Sequence, residues 1–65
     1  MFEIFQVSET GNVEFLQHAM GASLDDVARR VARNLGGHYR THRAAASVIV
    51  GETMTRLIRR KIAND

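Results

Sequence analysis

Between Ser23 and the Gly36-Gly37 pair, apolar residues recur with the period of one helical face: Leu24, Val27, Ala28, Val31, Ala32 and Leu35. Steps of three and four residues place them on a single stripe. Ser23 predicts an N-cap, and Asp26 stands three residues on, where the acid of a capping box belongs. Glycine just past the last turn is a common helix stop. A helix with one apolar stripe cannot bury that stripe alone, so the rest of the chain must supply a surface for it.

The residues before the helix read as that surface. Phe2, Ile4, Phe5 and Val7 make an aromatic and β-branched run, Ser8 to Asn12 reads as a turn, and Val13 to Met20 follows as a second strand. Two such runs around a short glycine-containing loop predict a β-hairpin. Strict alternation in the second run would place Val13, Phe15, Gln17 and Ala19 on one face and Glu14, Leu16, His18 and Met20 on the other.

The residues after Gly37 fit two templates. His38 to Arg43 alternates loosely, as a short strand would. Val48-Ile49-Val50 and Thr53-Met54-Thr55 flank Gly51-Glu52, which suits a two-residue hairpin turn with glycine first. Val50, Met54, Leu57, Ile58 and Ile62 also form a helical stripe. The β-branched residues and Gly51 favour strands, since glycine costs a helix about 1 kcal/mol relative to alanine. Leu57 to Ile62 fits either state. The expected fold is α+β: ββα followed by a β-rich segment (ββαββ), one helix on an antiparallel sheet. A hairpin with two helices is the alternative.

With 65 residues the chain is expected to form one domain, 1–65. A chain this short buries only about 60% of the surface its unfolded form exposes. It has no cysteine, which excludes disulfides and thiolate zinc sites and fits a reducing compartment. Self-association, as in a homodimer, is then a natural source of extra stability. The longest weakly polar run, Ala44 to Val50, falls far short of the ~20 residues a membrane helix needs. Met1-Phe2-Glu3 puts no basic stretch before an apolar one, unlike a secretory signal. A cytoplasmic location without membrane contact is expected.

Charge is divided along the chain. Residues 1–28 carry five acids and neither Lys nor Arg, whereas residues 29–65 carry all nine basic residues against Glu52 and Asp65. Such asymmetry points to nucleic acid or an acidic protein surface as partner. The candidate contact residues are Arg40, Arg43, Arg56, Arg59, Arg60 and Lys61. Clustered cations neutralise phosphates and release counterions. Arg29 and Arg30 have nearer explanations, as i,i+4 partners of Asp25 and Asp26.

The expected function is therefore a small non-catalytic binding protein that contacts nucleic acid through this basic surface. The alternative is a protein-interaction module, an inhibitor or assembly factor, with Phe2, Phe5 and Phe15 as interface residues. Catalysis, metals, cofactors and small-molecule substrates are not expected. His18, His38 and His42 lack acidic neighbours to complete a metal site. No nucleophile and base are suggestively spaced. A monomer of this size can hardly enclose a ligand pocket of ≈ 300 Å³ or more.

Overall fold

The N-terminal hairpin forms as β1 (Phe2–Val7) and β2 (Val13–Ala19) in the computed structural model, which describes residues 1–62. The helix α1 follows (Leu24–Leu35), then β3 (His38–His42), β4 (Ala45–Val50) and β5 (Met54–Arg60). The fold is α+β, with one helix on a five-stranded sheet of order β2-β1-β5-β4-β3, every neighbouring pair antiparallel.

The helix ends match the sequence signals. Ser23 is extended, and its hydroxyl accepts the Asp26 N–H at 3.1 Å. Gly36 closes the helix at φ 71°, and the Gly37 N–H reaches the Ala32 carbonyl at 2.9 Å. That left-handed glycine satisfies carbonyls that the last turn leaves without partners. The two expected ion pairs rearrange into one fork. Arg29 binds Asp26 at 2.7 Å and lies 4.0 Å from Asp25. Arg30 does not pair with Asp26. It turns back to the Met20 carbonyl and ties the start of the β2–α1 connection to the helix.

After the helix the chain makes three strands, one more than the ββαββ pattern has. The loosely alternating His38–His42 segment is the added one, held at the sheet edge by β4. Its turn into β4 is tight: His42 pairs with Ala45, and Arg43 takes the left-handed region at φ 35°. The β4–β5 turn is one residue longer than Gly51-Glu52. Val50 pairs with Met54, leaving Gly51, Glu52 and Thr53 in the loop, with Gly51 at φ 64°. Leu57–Arg60 is strand, and among the described residues α1 is the only helix.

The last strand does not stay at the edge. It inserts between β1 and β4, so Ile58 faces Ile4 on one side and Ala46 on the other. Ile58 is therefore central and fully buried. The core unites Phe2, Ile4, Ala46, Val48 and Ile58 from the sheet with Leu24, Val27, Ala28 and Ala32 from the helix. Each fully buried large side chain contributes about 1.5–3 kcal/mol. The helix stripe is thus covered as its periodicity requires. Gly37 lets β3 start close beside β4, because a Cβ there would strike the Ile49 carbonyl oxygen.

Candidate docking face of the sheet

One helix covers one face of the sheet, and strand alternation decides what the other face shows. Phe2, Ile4, Ala46, Val48 and Ile58 point to the helix. Their neighbours Phe5, Leu57 and Ile49 point away. Phe5 lies beside Phe15 on β2 and beside Leu57 on β5 in register, and Val7 beside Val13. The Phe5 and Phe15 rings meet edge to face at 5.6 Å. Phe15 is 46% exposed, Ile49 49% and Val13 57%. The result is an apolar surface across β2, β1 and β5, with Ile49 of β4 beyond Thr55, and no described element lies over it.

The hairpin departs from strict alternation at one point. Ile4 pairs with Gln17, but Phe5 pairs with Phe15, so Leu16 is an extra residue in β2. Such a β-bulge re-aims the side chains that follow it. His18 consequently stands on the same face as Phe15, with ring centroids 5.1 Å apart. Strict alternation would place them on opposite faces.

The polar border of this face is basic on the β3 side. Arg40, paired with Ser47, shares it, with His38 and His42 at the ends of the same strand. Arg59 is on this face too, but Glu3 holds its Nε at 3.0 Å, and its guanidinium lies 4.8 Å from the Phe5 ring centre.

The six cations singled out in the sequence do not form one patch. Arg56 and Arg60 alternate with Leu57 and Arg59 and face the helix side, where Arg60 lies over the Phe2 ring at 5.1 Å. Arg40 and Arg59 take the open face. Arg43 sits in the β3–β4 turn, and Lys61 follows β5, its N–H bonded to the Met1 carbonyl at 3.0 Å. Strand direction does gather Arg43, Arg59, Arg60 and Lys61 at one end of the sheet, while Glu9 and Glu52 occupy turns at the other. The sheet thus interleaves the acidic and basic halves of the chain: Glu3 lies beside Arg59, and Asp25 beside Thr41, at the same end as these cations.

Of the three interface phenylalanines, Phe5 and Phe15 are on the open face. Phe2 is not, being 1% exposed in the core. Leu57 and Ile49 complete the face. Only their parity relative to buried Ile58 and Val48 identifies them, and that needs the strand register. His18 lies on the β2 edge and His38 and His42 on the β3 edge, the full width of the sheet away. Among the described residues no three His, Asp or Glu converge on a metal-sized site, and no helix is long and apolar enough to cross a membrane.

The helix side holds a second feature. An open groove of about 400 Å³, not an enclosed pocket, runs between the C-terminal half of α1 and the β1–β2 flank. Searches with the whole chain return no matching family model, no matching curated protein and no matching solved structure.

Proposed function

We propose that the protein is a small, non-catalytic docking module of the cytoplasm that binds another protein through the open face of its sheet. The observation that carries this reading is the uncovered apolar surface of Phe5, Phe15, Leu57 and Ile49. Exposed apolar area that is contiguous, rather than scattered, marks interaction surfaces. A domain with so small a core gains most from a partner that removes such a face from water. The bordering Arg40 and histidines would orient a partner bearing acids along that edge.

A photo-crosslinking residue at Phe15, compared with one at Arg33 on the helix, tests the reading in the cells that make the protein. A discrete adduct from position 15 that persists in high salt and disappears in Leu57→Ser is the expected result. Equal labelling from both positions would sink it. An adduct of twice the chain's own mass would make the partner a second copy.

A second reading rests on the gathering of Arg43, Arg59, Arg60 and Lys61 at one end of the sheet. This end would contact nucleic acid without regard to sequence. Anisotropy with labelled single- and double-stranded oligonucleotides should then show binding that weakens with salt. An Arg43→Ala/Arg60→Ala/Lys61→Ala variant should lower the log–log salt slope by roughly 0.7–0.9 for each phosphate it no longer neutralises. Absence of binding at low salt removes this reading and leaves an acidic protein as the partner for that end.

A further inference from the structure

The groove on the helix side arises because α1 packs mainly on β4 and β3 and less on β5, leaving the β1–β2 flank only partly covered. Ile4, Leu16, Val31 and Leu35 form apolar walls, and Leu16 is the bulge residue of β2. Gln17, Asn34 and Arg56 add polar groups. The Arg56 Nη1 is buried and has no hydrogen-bond partner among the described residues. A guanidinium stays charged and carries only donors, so an acceptor is what this spot lacks. The nearest carboxylate in the register row is Glu14, two strands away across Gln6. At about 4.8 Å per strand its backbone is roughly 10 Å distant.

We infer that this groove binds a small amphiphilic carboxylate. The apolar tail lies along Leu16, Val31 and Leu35, and the carboxylate accepts from the Arg56 guanidinium. A side-chain amide N–H of Gln17 or Asn34 lies beside it as a further donor. The volume sits at the small end of the ≈ 300–1,000 Å³ range of ligand sites, which suits a short-chain ligand. The charge of the site selects the head group. One guanidinium between apolar walls matches a monoanion, and planar carboxylate pairs with it bidentately. A phosphate ester would bring more charge than a single cation offsets. This site is on the opposite side of the sheet from the docking face, and the two readings stand or fall separately.

The test is a titration of the isotope-labelled chain with octanoate, below its micelle concentration, followed by amide chemical shifts. 1-Octanol serves as the uncharged control. Saturable shifts at Leu16, Leu35 and Arg56 are expected, with octanol binding at least about tenfold more weakly because it forms no charge-assisted bond. Arg56→Gln should weaken octanoate by a similar factor and leave octanol unchanged. Leu16→Trp should fill the groove and abolish both. Should Arg56→Gln fail to fold, the octanoate–octanol ratio and Leu16→Trp still decide the matter. Equal binding of the two probes, shifts confined to Phe5 and Phe15 on the other face, or no saturation would overturn the inference.

Discussion

Phe15 and His18 stand on the same face of the sheet, ring centroids 5.1 Å apart, because Leu16 bulges out of β2. One inserted residue thereby does two things. It brings a histidine to the border of the apolar face, and it places a leucine in the wall of the groove on the reverse side. Deleting Leu16 should leave the pairs Phe5–Phe15 and Ile4–Gln17 intact and yield a regular strand. The expected cost is about 1 kcal/mol, typical of a single change. Urea denaturation measures it, and collapse of the fold would show that the bulge is needed for hairpin twist.

Gly37→Ala should be the most damaging of the conservative changes outside the core. Its new methyl would meet the Ile49 carbonyl and the Val50 side chain, so β3 must move away from β4. Overpacking of this kind costs typically about 1–3 kcal/mol. In a domain of this size each kcal/mol lowers Tm by roughly 4–8 °C, which a thermal melt resolves.

Arg43→Gly should act in the other direction. Arg43 holds φ 35° at the β3–β4 turn, a region that costs a side-chain-bearing residue about 1–2 kcal/mol. Glycine removes that cost and loses part of the gain to its freer unfolded chain. A net rise of up to about 1 kcal/mol in unfolding free energy is expected from the difference of these two terms. No change, or a loss, would mean that the Arg43 side chain makes a stabilising contact in solution.

Ile58→Ala should leave little folded protein at physiological temperature. Ile58 is fully buried at the centre of the sheet, and such truncations cost about 2–5 kcal/mol. A core in this size class supplies rarely more than about 3–5 kcal/mol in all. Circular dichroism of the variant should show loss of the cooperative transition. Ile49→Ala, on the open face of the adjacent strand, should retain it.

Local chemistry in the sequence specifies the hairpin, the helix and the helix ends. Ser23, Asp26 and the glycine pair act within a few residues of themselves, and the Leu24–Leu35 stripe has a period no strand can use. β-branched residues and Gly51 were enough to favour strands beyond the helix. The basic cluster was legible as composition but not as a surface. On a helix, Arg56, Arg59 and Arg60 would share the outer face. On a strand the parity of their positions sends Arg59 to one face and Arg56 and Arg60 to the other. The placement of β5 between β1 and β4, the bulge at Leu16 and the groove beside Arg56 depend on pairings between distant segments. Those pairings are selected by burial of the whole core at once, and no stretch of sequence contains both partners. Sequence thus determined which elements this chain forms, and tertiary packing decided which side chains they show to a partner.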